Sequence, residues 1–133
     1  MIESPPLVVI ESPLRAQPYT GWFAWLPFVK RWVEARRYEV NRRYARRCMR
    51  DSLTRGEAPY ASHLLYDQPG ILDDTDPRER SRGIHAGFEW GERAAIVAVY
   101  MDRGVSAGMK LGMARARTAG QRVEHRWIGR GAQ

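Results

Sequence analysis

Apolar residues in this chain follow two patterns, short continuous runs and longer stretches with helical spacing. Two continuous runs, LVVIE at Leu7–Glu11 and AAIVAVYM at residues 94–101, lack polar alternation, as strands do when both faces are covered. The first is closed by Ser12 and Pro13, a turn pair. PYASHLLYD at 59–67 is a weaker strand candidate between turn residues, and QRVEHRWI at 121–128 alternates, with Val123, His125 and Trp127 on one face and Glu124 and Arg126 on the other. The alternation predicts a half-exposed final strand.

Three helices fit between these runs. The first is predicted from about 28 to 55, ending at Gly56 as a C-cap residue, with a break near Glu39. In it Val40, Tyr44, Ala45, Cys48, Met49 and Ser52 share one face, while Arg42, Arg43, Arg46, Arg47 and Arg50 gather on the other. The second begins at Pro77, capped by Asp74, Thr75 or Asp76, and runs to about 94. The third covers about 107 to 118, with Met109, Met113 and Ala116 at core spacing and Gly120 as its stop. Residues 15–27 carry Pro18, Gly21 and Pro27 among aromatics and read as a long loop or lid.

Strand, helix, strand, helix, strand, helix, strand implies an α/β fold. We expect a small Rossmann-like three-layer domain with a mainly parallel sheet of about four strands, spanning 1–133 as a single domain. In such open sheets ligands lie beyond the carboxyl ends of the strands.

Composition narrows the setting. A single cysteine, Cys48, excludes a disulfide framework and a Cys-based zinc site, and no His and acidic residues have metal-ligand spacing. No basic leader precedes the first apolar run, so a cytoplasmic protein is expected. GWFAWLPFVKRWV is interrupted by Pro27, Lys30 and Arg31, which excludes a membrane span there; its aromatics suit a core, an oligomer contact or a stacking lid. The net charge of +7 arises from 20 Arg and two Lys, Lys30 and Lys110, and favours phosphate-bearing partners. Two partner types fit it: a nucleotide in a pocket, or nucleic acid along the Arg face of the first helix. Solvation alone also accounts for that face.

The candidate chemistry concentrates where the third strand meets the third helix, DRGVSAGMKLG. Ser106, Ala107 and Gly108 are small, so backbone N–H groups at the helix start can approach an anion that the helix dipole favours. Neither GxxxxGK[ST] nor GxGxxG spacing is present. Lys110, one turn in, is either a point charge for phosphate or a solvated helix residue. Asp102 closes the third strand, Glu11 closes the first, and Glu89 lies late in the second helix, so each is a candidate acid. His63 suits hydrogen bonding or proton transfer at the second strand, while His85 and His125 read as structural.

A strand followed by SxGMKxG resembles the SxGM or GTxxE signature of the nucleoside 2-deoxyribosyltransferase-like superfamily, which includes nucleotide N-glycoside hydrolases. VVIESPL, GEAPYASHLLY and DRGVSAGMKLGMARA together look like a phage and bacterial branch of that group. The resemblance implies that Glu11, Ser12 and Pro13 lie beside base and sugar, and that Ser106 and Gly108 belong to the loop that holds a 5′-phosphate, with Ala107 and Met109 as further candidate ligand contacts beside them. It also implies a homo-oligomer, with a dimer expected, and no cofactor. In GTxxE the Glu is the nucleophile, and aligning Gly108 and Met109 with GT puts that position at Gly112.

Without that residue, Asp102 is the first replacement and Glu89 the second. The expected function is therefore binding of a nucleoside or nucleotide, with cleavage or transfer of its N-glycosidic bond if a carboxylate substitutes. The alternatives are a non-catalytic protein that sequesters or senses a nucleotide, and nucleic-acid binding through the Arg helix.

Overall fold

A computed structural model describes residues 3–15 and 18–129. The elements in chain order are β1 (Leu7–Glu11), α1 (Pro27–Thr54), β2 (Ala58–Tyr60), α2 (Ser62–Leu65), α3 (Pro77–Gly91), β3 (Ile96–Tyr100), α4 (Ala107–Thr118) and β4 (Arg122–Arg126). The four strands form one parallel sheet in the order β2-β1-β3-β4. This is the three-layer α/β domain that the pattern of apolar runs predicts. The lid read at 15–27 includes residues 16–17, which lie outside the described residues; its remainder forms turns, and Trp22 and Trp25 are exposed.

Alternation along the inner strands feeds two cores. Val8 and Ile10 of β1, with Ala98 and Tyr100 of β3, pack against Tyr44 and Cys48 of α1. Val97 and Val99 face the other way and pack with Met109 and Ala116 of α4, joined by Val9. α3 lies on the α4 side, since a Cβ built on Gly91 would touch Val9 Cγ2 at 3.8 Å. The chain thus leaves β1 for one edge through α1, then crosses back beyond β1 through α3. That reversal opens a crevice at the carboxyl ends of β1 and β3.

Caps fix the helices that flank it. The Asp76 carboxylate accepts the Arg78 N–H at 2.8 Å, with Pro77 at the first helical position of α3. The Ser106 hydroxyl accepts the Met109 N–H at 3.2 Å and starts α4.

Three expectations need correction. The stretch read as a strand over 59–67 keeps only Ala58–Tyr60 extended; SHLL turns into α2, closed by Tyr66 N–H donating to Ser62 O at 2.9 Å. β2 is an edge strand whose pairing with β1 ends at Tyr60, so no ladder holds the next residues extended. α1 runs unbroken through Glu39. In β4 Arg126 is buried and His125 exposed, because Glu57 and Glu124 clamp the guanidinium, both Glu57 bonds measuring 2.7 Å.

Candidate functional site

The crevice is a cleft of about 1050 Å³ on the α3/α4 side of the sheet. Alternation decides which β1 residue enters it. Val8 and Ile10 point toward α1, so Glu11 points toward α4, and its carboxyl lies directly against the α4 backbone at Gly112. A Cβ on Gly112 would stand 2.8 Å from the Glu11 carboxyl carbon, so only glycine leaves this space. Among the described residues no hydrogen bond or ion pair reaches the Glu11 carboxyl, and burial pushes its pKa from 4.5 up to about 8. It is a neutral acid at pH 7.

Ser12 follows at the end of β1, and its hydroxyl shares a 2.9 Å hydrogen bond with His63 Nε2. α2 supplies that histidine, so the helical turn that replaces the expected strand is what turns His63 into the cleft. Burial first, then the nearby Arg42 charge, pushes His63 from 6.5 down to about 4, while Asp67 acts in the opposite sense. The ring is neutral at pH 7. A carboxylic acid one residue before Ser12 and an imidazole base that shares the Ser12 hydroxyl bond are therefore both held uncharged.

Ser106, Ala107, Gly108 and Met109 line the cleft at the start of α4, as the small-residue pattern anticipates. The Ser106 hydroxyl serves as the helix cap there. Pro13 is buried but does not line the cleft, and Lys110 is exposed outside it.

The two acids placed first in the sequence lie elsewhere. Asp102 accepts the Tyr44 hydroxyl at 2.7 Å and the Ile128 and Gly129 N–H groups at 3.1 Å each, tying β3 to α1 and to the chain after β4. Burial alone would raise its pKa; the Tyr44 hydroxyl and those two amides hold it below the usual range instead. Glu89 is exposed beside Arg93. Neither lines the cleft.

Arg15, Tyr60, Arg80 and Phe88 line the cleft with no sequence signal to announce them. Each sits in a segment whose local pattern describes packing or a loop. Arg42 leaves the basic stripe, donating to Asp67 O at 2.8 Å and to the Tyr38 hydroxyl at 3.2 Å, which brings its charge near His63. Arg43, Arg46, Arg47 and Arg50 stay exposed, and Arg43 and Arg46 both approach Glu39.

A family profile described as a domain of unknown function, DUF7768, matches residues 6–126, from the residue before β1 to the last of β4. The chain belongs to this family. A comparison with curated proteins finds no match. The DUF7768 span takes in Glu11, Ser12, His63, Ser106 and Gly112, so the whole constellation around the cleft lies inside the family domain. Among the described residues no helix is long and apolar enough to cross a membrane.

Proposed function

We propose that the cleft binds a nucleoside or nucleotide and cleaves its N-glycosidic bond, with Glu11 as the reacting carboxyl. The observation that carries this reading is the Glu11 carboxyl, unpaired and packed over Gly112 at the mouth of the sheet. The resemblance to the nucleoside 2-deoxyribosyltransferase-like group puts a nucleophilic Glu at position 112. This chain instead offers a carboxyl from β1 beside the same α4 position.

The difference in protonation suits a different division of labour. A carboxyl neutral at pH 7 is a general acid: Glu11 donates its proton to the ring nitrogen of the departing base as the C1′–N bond breaks. Water adds to C1′, and its proton passes to the neutral His63, which the Ser12 hydroxyl orients.

A single strand-end carboxyl, without the close second one that retaining glycosidases use, also fits a protein that holds an intact nucleotide. Incubation with a panel of nucleosides and nucleotides, followed by chromatography, separates the two. Release of free base that disappears in Glu11→Gln supports hydrolysis, and stoichiometric binding of unchanged ligand supports sequestration. No binding and no release with any member of the panel overturns both.

A further inference from the structure

The described residues contain two buried side-chain atoms without a hydrogen-bond partner, Nη1 of Arg80 and the Tyr60 hydroxyl, and both residues line the cleft. Native structures leave few such groups, and a guanidinium N–H hidden from water without an acceptor is among the costliest. Burial first, then the nearby Tyr66 hydroxyl, raises the Tyr60 phenol, but Tyr66 gives it no aligned hydrogen bond. Two donors on one cleft are thus open at once.

Arg80 lies in the first turns of α3. Its nearest carboxylate oxygen, Asp74 Oδ2, is 3.8 Å from Nη1, and Arg15 Nε is 3.9 Å from the same atom. Both contacts are ion pairs at a distance too long for hydrogen bonds. Burial raises the Asp74 pKa despite the two guanidinium groups, as expected when neither holds the carboxylate closely. Two guanidinium groups share one loosely held carboxylate, and with Asp67 and Asp73 also close to Asp74 it is the unmet Arg80 donor, not a surplus of positive charge, that marks this corner.

We propose that Arg80, with Arg15, forms an anion subsite at the α3 side of the cleft that takes a phosphate group. The subsite is separate from the start of α4, where Ser106 caps the helix. A planar guanidinium with a free N–H matches phosphate oxygens in a way a point charge does not. The identification of the phosphate carrier as a nucleotide rests on the proposed function; the subsite itself rests on Arg80 and Arg15. Inorganic pyrophosphate is the other source of the same chemistry.

Calorimetric titration at fixed ionic strength tests it, using a nucleoside, its 5′-monophosphate and inorganic pyrophosphate against wild type, Arg80→Gln, Arg15→Gln and Arg117→Gln, the last an exposed arginine outside the cleft. Wild type should bind the monophosphate at least tenfold more tightly than the nucleoside. Arg80→Gln should lose most of that preference with nucleoside affinity unchanged, Arg15→Gln should lose part of it, and Arg117→Gln should keep it. Arg80→Lys, which retains charge and loses the planar fork, should be several-fold weaker and carries the test if the Gln variant does not fold. A wild type without the preference, or a preference that survives loss of Arg80, overturns the subsite. If no nucleoside or nucleotide binds, the proposed function fails on its own. Arg80-dependent pyrophosphate binding would then still uphold the subsite, and no pyrophosphate binding would overturn it too.

Discussion

Glu11 and His63 are shifted in opposite directions by the same cause, removal of a charged form from water. Glu11 moves up from 4.5 to about 8, so the stability its neutral form provides is complete below pH 4.5 and lost as pH rises toward 8. His63 moves down from 6.5 to about 4, so its contribution is complete above pH 6.5 and lost as pH falls toward 4. Thermal melts across this range should therefore show wild type losing stability from pH 6 to pH 8.5. Glu11→Gln should flatten that decline and be more stable than wild type at pH 8.5 by about 2 kcal/mol, the shift being discounted for partial exposure. Parallel curves for the two proteins would contradict a buried neutral Glu11. Base release should likewise decline as pH rises through about 8, because the acid loses its proton.

Asp102 presents the opposite residue-scale case. Its carboxylate joins Tyr44, Ile128 and Gly129, so Asp102→Ala strands three donors and should cost about 2–4 kcal/mol in denaturant unfolding. The folded fraction should keep wild-type ligand affinity, since Asp102 does not line the cleft. Loss of affinity with unchanged stability would reverse these roles. Each is the acid near a strand end, and sequence position favoured Asp102, which stands immediately before the small-residue loop.

At the scale of elements, α4 matches its sequence reading at both ends because a Ser cap, helical apolar spacing and a Gly stop all agree. Gly112 inside it is where local preference and tertiary contact conflict. Gly112→Ala should gain roughly 1 kcal/mol of helix propensity, yet the new Cβ must displace the Glu11 carboxyl. Unfolding free energy should change by less than about 1 kcal/mol, while base release falls at least tenfold. Unchanged turnover would separate Glu11 from the reaction.

β4 carries a second conflict, a charged residue buried on a strand that alternation had placed half outside. Arg126→Ala leaves Glu57 and Glu124 without their shared partner and should cost about 3–5 kcal/mol in denaturant unfolding. α2 was hidden for a related reason: SHLL has no helix-length periodicity, and only the end of the β1 pairing tells it not to continue as strand.

For the whole molecule, one concentration of positive charge is the exposed face of α1. Arg43, Arg46, Arg47 and Arg50 remain on that face, with Glu39 opposing the first two. Nucleic acid held there should dissociate steeply with salt, and the triple change Arg46→Ser, Arg47→Ser, Arg50→Ser should lower the salt slope by about one for each phosphate contact removed. Filter retention across a salt series checks this, and salt-insensitive retention would count against the face. The same molecule exposes Trp22, Trp25, Phe28 and Trp32 around the start of α1, the segment for which a dimer contact was one sequence reading.

By itself the sequence determined the α/β class, the order of the strands and the three long helices and the cap of α4, and it narrowed the cap of α3 to three residues, because apolar periodicity and capping chemistry act over a few residues. Only the tertiary structure decided that Glu11 lies over Gly112, that Ser12 meets His63, and that Asp102 is tied away from the cleft. Those meetings depend on crossover geometry between distant segments, where a one-residue change of register or a single helical turn changes which side chain arrives.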